Sequence, residues 1–264
     1  MNCLIFDIET APEADDIVES FFTFDETKVT NYRLLTKDFD PSKVKHANMK
    51  DPVKIAAKIE ADRQKFEAKK ASVADEIETK REEAFEKFKD KAAISPLTGQ
   101  VLAIGWLTPE YSAYGYEFVS DNPVAPVSEK ELIENFLGLA DAVLSDGGSL
   151  IGHNIISFDL PFLLRRGLKY GIRPPKTITN ALTQYRPTNL IDTMREWTMG
   201  NRTEDFVKLD KLAAFFGTQR KTGDGKDFGV KFFGTPEERQ EVLDYLQNDV
   251  EMTFEVAKKM RLID

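Results

Sequence analysis

Cysteine is almost missing from this chain. Cys3 stands alone among 264 residues. That excludes an internal disulfide and points to a reducing, cytoplasmic setting. Histidine is nearly as scarce, with only His46 and His153. Two histidines and one cysteine make a four-ligand structural zinc site unexpected. No apolar run reaches the roughly 18 residues that a membrane helix needs. No basic stretch leading into an apolar core marks a secretory signal at the N-terminus. Hydrophobic residues still make up 41% of the sequence, ample for a core. The length suits one large domain, or one carrying a substantial insertion.

What the chain does have is carboxylates at telling places. Asn2-Cys3-Leu4-Ile5-Phe6-Asp7-Ile8-Glu9-Thr10 reads as a buried strand that ends in acids. Strand side chains alternate, so Asp7 and Glu9 share one face. Two such neighbours repel unless a cation lies between them, and a hard ion such as Mg2+ or Mn2+ suits oxygen ligands. A solvated polar turn explains this pair of residues equally well. Leu150 to Leu163 follows with a short apolar strand, a polar loop and a helix. Ser157 is the expected N-cap there, with Asp159 and Pro161 in the first turn. A helix-dipole role would account for Asp159 by itself. Tyr245 and Asp249 lie four apart on a late helix, hence one turn apart on one face.

Taken together, these three stretches resemble the DEDD superfamily of 3′–5′ exonucleases. Asp7 and Glu9 match its first motif, D-x-E. Asn154, Phe158 and Asp159 match its second, N-x-x-x-F-D. Tyr245 and Asp249 match the tyrosine form of its third, and Asp244 stands where the histidine form carries its His. The chain is thus similar to the tyrosine (DEDDy) branch, which includes proofreading domains of family A and B DNA polymerases. The resemblance covers residues 1–10 and about 98–264.

The resemblance implies a site and a mechanism. Asp7, Glu9, Asp159 and Asp249 would hold two Mg2+ or Mn2+ ions that clamp the scissile phosphate. Tyr245 would orient the attacking water, because an unperturbed phenol with a pKa near ~10 is a poor general base at neutral pH. Asn154 and Thr10 would approach the terminal nucleotide, and Phe158 could stack on its base. His153 has no ligand role in the family and is expected to be structural. The function implied is a stand-alone 3′–5′ exonuclease that releases nucleoside 5′-monophosphates from single-stranded DNA. With no polymerase domain in the sequence, proofreading or repair would act in trans. An exoribonuclease of the same fold and a non-catalytic module that holds nucleic-acid ends are the alternatives.

The remaining stretches fill in the architecture. Gly99–Leu107 and Tyr111–Ser120 read as antiparallel strands joined at Thr108-Pro109-Glu110. Ser128 with Glu131 opens a helix to about Leu144, which Gly147-Gly148 breaks. Asn189–Thr193 suggests a last short strand, and Lys208–Gly217 a helix stopped by its glycine. Thr218–Gly234 reads as a Gly- and Lys-rich loop, and Thr235-Pro236 starts the last helix. This order fits an α/β fold with a ribonuclease-H-like mixed sheet flanked by helices. A single exonuclease domain spans 1–264, with a charged helical insertion at about 42–95.

Charge is unevenly spread. The chain carries net −9, which disfavours polyanions. Yet Leu160–Gly234 holds fourteen Lys and Arg against seven acids. That makes Arg165, Arg166 and Lys226 candidate contacts to a nucleic-acid backbone. Lys50–Lys91 is near neutral, with twelve basic and eleven acidic residues and no glycine. Ile55, Ile59, Phe66, Val73, Ile77, Phe85 and Phe88 form a narrow apolar stripe along it. A capping box at Ser72 and Asp75 favours a two-helix hairpin, which would hide that stripe. A protein partner docking on 50–91 and a plain solvated insertion are both open. Phe21, Phe22, Phe24 and Phe39, upstream, are expected to pack rather than to stack on bases.

Overall fold

The structure is a computed structural model and describes residues 2–46, 48–184, 187–200, 207–218 and 228–263. In chain order its elements are β1 (Cys3–Pro12), α1 (Asp15–Ser20), α2 (Pro52–Lys89), β2 (Gly99–Thr108), β3 (Ala113–Phe118), α3 (Glu129–Ser145) and β4 (Ser149–Gly152). Then come α4 (Asp159–Lys169), α5 (Lys176–Thr183), β5 (Leu190–Asp192), α6 (Thr193–Trp197), α7 (Leu209–Phe216), α8 (Phe228–Phe232) and α9 (Pro236–Lys259). They group into two compact units, Met1–Asp15 with Ala92–Asp264, and Asp16–Lys91.

The first unit is built on a sheet of order β3-β2-β1-β4-β5. β1 pairs antiparallel with β2 and parallel with β4, so the sheet is mixed. This is the ribonuclease-H-like α/β arrangement. β1 lies at its centre, and Leu4, Ile5 and Phe6 are completely buried, as a strand covered on both faces requires. Alternation then divides the core. Leu4, Phe6 and Ile8 face α3, α4 and α5, against Leu132, Phe136, Leu163 and Ile178. Cys3, Ile5 and Ala11 face α8 and α9, against Phe228, Phe232, Leu246 and Val250. Asp7 and Glu9 occur in this second series, so the strand aims both carboxylates at the α9 side.

Two local features shape the strand's end. The β1–β2 register shifts between Glu9 and Thr10, skipping Leu102. Such a bulge bends a strand and redirects its side chains. Gly105, opposite Asp7, admits close neighbours. A methyl group there would lie 2.8 Å from Leu246 Cγ and 2.9 Å from the Tyr114 hydroxyl.

Helix ends follow the sequence in most places. Ser128 and Glu131 form a capping box on α3, and Thr235 and Glu238 form another on α9. Gly217 closes α7 in the left-handed conformation. Two expectations change. Ser157 does not cap α4, whose N-cap is Phe158 with no side-chain bond. Phe228–Phe232 is helical rather than loop, because Phe228 and Phe232, one turn apart, are both buried in the α9-side core.

In the second unit, α2 is one continuous 38-residue helix and not a hairpin. Asp51 caps it, Pro52 occupies its first turn, and Lys87 and Lys89 complement its C-terminal dipole. The stripe that a hairpin would have hidden is covered from upstream. Val73 and Ile77 pack with Val29, Phe24, Tyr32, Leu34 and Leu35. Phe22 meets Phe85 and Phe88, and Phe39 meets Phe66. The upstream aromatics Phe22 and Phe24 are therefore packing residues, Phe39 packs on Phe66 with part of its ring left open, and Phe21 is 46% exposed.

Candidate active site

Two elements bring the first acidic residues together. β1 contributes Asp7 and Glu9, and α9 contributes Asp249. One carboxylate oxygen from each lies within 4.8 Å of the other two. Opposite oxygen ligands of one Mg2+ stand about 4.2 Å apart, so this spread suits one hard cation or a closely spaced pair with little adjustment. The donor set is all carboxylate, as Mg2+ and Mn2+ prefer. Asp249 is 4% exposed and Tyr245, one turn earlier, is 7% exposed. Both point into the molecule from the same face of α9.

Asp159 is outside that trio of oxygens but close to it. It is buried at the first position of α4. Burial, and then the negative charge of Asp7, push its carboxyl well above the usual range, with Asp192 adding to the effect. The backbone N–H groups of Asp159 and Ile8 oppose the shift without overcoming it. A cation between Asp7 and its neighbours would reverse that balance, since it favours every ionised form at once.

The turn before Asp159 is held by a residue that the sequence did not single out. Asn154 adopts the left-handed conformation, with φ 71°, a region that asparagine tolerates better than most residues. Its carbonyl accepts from the N–H groups of Ser157 and Phe158. Asp192, 1% exposed at the end of β5, ties this turn to the sheet. Its Oδ1 accepts from Asn154 N–H at 2.9 Å and from Met194 N–H at 3.1 Å, and its Oδ2 accepts from Ile156 N–H at 3.1 Å. A weaker bond from Arg195 N–H reaches Oδ1 at 3.4 Å. The donors Asn154 and Ile156 lie almost forty positions away in sequence, so no local pattern announces the role.

His153 braces the same region. Its Nε2 lies 2.8 Å from the Val207 carbonyl oxygen and its Nδ1 2.9 Å from Thr193 Oγ1. A carbonyl only accepts, so Nε2 carries the hydrogen. Both ring nitrogens have structural partners, as expected for a histidine that is not a metal ligand.

The expected substrate contacts separate. Thr10 is half-buried beside the strand bulge, and Asn154 is half-buried in its pinned turn. Phe158 is half-buried, with its ring centroid 5.4 Å from that of Phe162, so packing claims part of the ring. Arg165 is exposed on α4. Lys226 lies outside the described residues.

Arg166 is a correction. It is fully buried and cannot meet a nucleic-acid backbone. Its Nε and Nη2 grip Glu129 at 2.8 and 2.6 Å, and Nη2 also donates to Glu13 at 2.6 Å. Glu129 in turn accepts from Val101 N–H at 2.8 Å, and Lys169 pairs with Glu13. Adjacent arginines on a helix point in different directions, and the sequence did not reveal which one faced inward. Arg166 thereby fastens α4, which begins with Asp159, to α3 at Glu129, through Glu129 to β2, and to Glu13 just past the end of β1.

Tyr114 is another residue that the sequence did not mark. Its hydroxyl is buried over Gly105. Burial, then charges that include Asp7, raise the phenol far above its ordinary value. It therefore remains protonated beside the acidic site, with no hydrogen-bond partner among the described residues.

A family model described as a predicted 3′–5′ exonuclease related to the exonuclease domain of PolB matches residues 117–264, more than half of the chain. The chain belongs to this exonuclease family. The matched stretch contains Asp159, Asp192, Tyr245 and Asp249. Asp7 and Glu9 precede it, and the fold brings them to Asp249 through the central strand of the sheet. No match appears among curated proteins. For a member of this exonuclease family, a nucleic-acid substrate and an acidic cluster that can hold metal belong together. Among the described residues, no helix is long and apolar enough to cross a membrane.

Proposed function

We propose that this protein is a metal-dependent 3′–5′ exonuclease of the tyrosine type that degrades single-stranded DNA to nucleoside 5′-monophosphates. The observation that carries the reading is the meeting of Asp7, Glu9 and Asp249 from two separate elements, with oxygens within 4.8 Å of one another. Asp159 joins them as the fourth carboxylate, since the charge of Asp7 already acts on it. These four residues would hold two divalent cations, Mg2+ or Mn2+. Such ions, when bound, supply positive charge for the attacking and leaving oxygens of the displacement and make water a better nucleophile.

The chain's own groups do the rest. The Tyr245 hydroxyl, one helical turn before Asp249, orients the attacking water. Asp244 supports the tyrosine form, because it is exposed and hydrogen-bonded to Gln240 rather than turned inward. Asn154 and Thr10 meet the sugar and phosphate of the terminal nucleotide. Phe158 lends the edge that its packing leaves open. Arg165 contributes backbone attraction from the exposed side of α4.

Label position tests the polarity. Single-stranded DNA labelled at its 3′ end should lose the label at once as a mononucleotide, while 5′-labelled DNA should shorten gradually. Release of the 5′ label first would overturn the reading. Faster digestion of the matching RNA would redirect it to an exoribonuclease, since the 2′-hydroxyl is what separates the two substrates.

A further inference from the structure

The charged unit has a feature that its near-neutral composition conceals. Folding brings the Lys37–Lys45 segment alongside the α2 stretch Lys58–Lys69. Together they line a cleft of about 740 Å³. Six lysines line it (Lys37, Lys43, Lys45, Lys58, Lys65 and Lys69) against three acids, Asp38, Asp40 and Asp62. Two of the lysines are internally paired, Lys43 with Asp40 at 3.3 Å and Lys58 with Asp62 at 2.9 Å. Lys37, Lys45, Lys65 and Lys69 are exposed and leave the cleft with a surplus of positive charge. The floor is apolar. Phe39 and Phe66 are half-buried with centroids 5.8 Å apart, and Arg63 lies 5.5 Å from the Phe39 centroid.

We propose that this cleft is an accessory binding site for the phosphodiester backbone of single-stranded nucleic acid. Lys58, Lys65 and Lys69 recur at helical spacing over eleven residues, a row about 16 Å long at ~1.5 Å per residue. Lysine is a mobile point charge that satisfies phosphate without fixed geometry, which suits a strand of any sequence. The half-open Phe39 and Phe66 edges offer an apolar surface to bases. The whole chain carries −9 and repels a polyanion at long range. Attraction must therefore come from local concentrations of positive charge such as this one. The choice of nucleic acid over an acidic protein segment rests on the exonuclease reading.

The test uses the full-length chain in EDTA, so that binding is read without cleavage. Fluorescence anisotropy would follow a labelled oligo(dT) across a salt series. Three proteins are compared: wild type, the combined Lys45→Gln, Lys65→Gln, Lys69→Gln variant, and a charge-matched control with Lys50→Gln, Lys54→Gln, Lys91→Gln. All three should give the same far-UV circular dichroism, because every altered side chain is exposed. The cleft variant should bind roughly tenfold more weakly at 0.1 M salt. Its log–log salt slope should fall by about 2, at ~0.7 for each phosphate that a lysine no longer neutralises. The control should match wild type. Equal weakening in both variants, or in neither, would overturn the site. Displacement of oligo(dT) by polyglutamate would overturn the nucleic-acid assignment in favour of an acidic protein segment, because a like-charged polymer cannot bind the oligonucleotide itself. A chain that binds through the cleft and never cleaves would sink the exonuclease reading alone. A chain that cleaves with unaltered binding would sink the cleft alone.

Discussion

At the scale of single residues, the division of labour around the acids makes separable claims. Asp7→Asn removes one of the three convergent oxygens, and activity should fall by about three orders of magnitude or more while the fold persists. Tyr245→Phe keeps the buried ring and removes only the hydroxyl. On the positioning account it lowers the single-turnover rate by about 10- to 1,000-fold and leaves DNA affinity in EDTA unchanged; an unaltered rate would reject the role. Asp192 acts one step away. Asp192→Asn replaces one acceptor oxygen by a donor that would face an N–H group, so the Asn154 turn should loosen. The expected result is faster amide exchange at Asn154 and Ile156 together with a reduced rate. Unchanged exchange would show that the turn stands without it. The carboxylates and Tyr245 were legible as candidates through the resemblance to the exonuclease motifs, with strand and helix periodicities pairing Asp7 with Glu9 and Tyr245 with Asp249. Asp192 and Tyr114 were not, because their roles depend on partners far away in the chain.

At the scale of elements, α4 carries Asp159 at its start and Arg166 two turns later, so the proposed fourth carboxylate and the anchor are joined in one helix. Breaking a buried ion pair from one side leaves an uncompensated charge and typically costs about 3–5 kcal/mol. Arg166→Ala strands Glu129 and leaves Glu13 with Lys169 alone, and should destabilise by that order, readable in urea unfolding. The pH dependence follows from Glu13. Burial works to raise its carboxyl, but hydrogen bonds from Lys169 and Arg166 and the charge of both overcome it and hold Glu13 below the ordinary range. A carboxyl with a lower value in the folded state stabilises fully above the unfolded titration range. That contribution is lost as pH falls through the folded value. Glu13→Gln should therefore lower stability near neutrality and flatten its decline in acid; a parallel decline would contradict this. Capping boxes and glycine stops were readable element by element. The continuity of α2 was not, because Val29, Phe24 and Leu35 cover its stripe from a region without helical periodicity. Continuous amide protection across Ser72–Asp75 would confirm the single helix, and a break there would restore the hairpin.

At the scale of the whole molecule, charge is organised by folding and not by composition. Leu160–Gly234 carries an excess of basic residues in sequence, yet Arg166 is turned inward and Arg165 outward. Lys50–Lys91 looked neutral, yet three of its lysines, Lys58, Lys65 and Lys69, line one cleft with Lys37, Lys43 and Lys45 from upstream. The fold class, by contrast, was legible, because a β2–β3 hairpin followed by helix and strand in turn leaves few topologies open. The acidic site should also report on global stability. A cation that binds only the native state raises Tm with its concentration, so Mn2+ should stabilise the wild type and not Asp249→Asn.

The central claim is that the carboxylates of β1 and α9 form one metal-dependent hydrolytic site. A gel assay on 5′-labelled single-stranded DNA tests it most directly, run with Mg2+, with Mn2+ and with EDTA, beside Asp7→Ala and Asp249→Ala. The account predicts a ladder that shortens from the 3′ end with either metal and is absent with EDTA and in both variants. Cleavage that persists in EDTA, or at full rate in either variant, would contradict it.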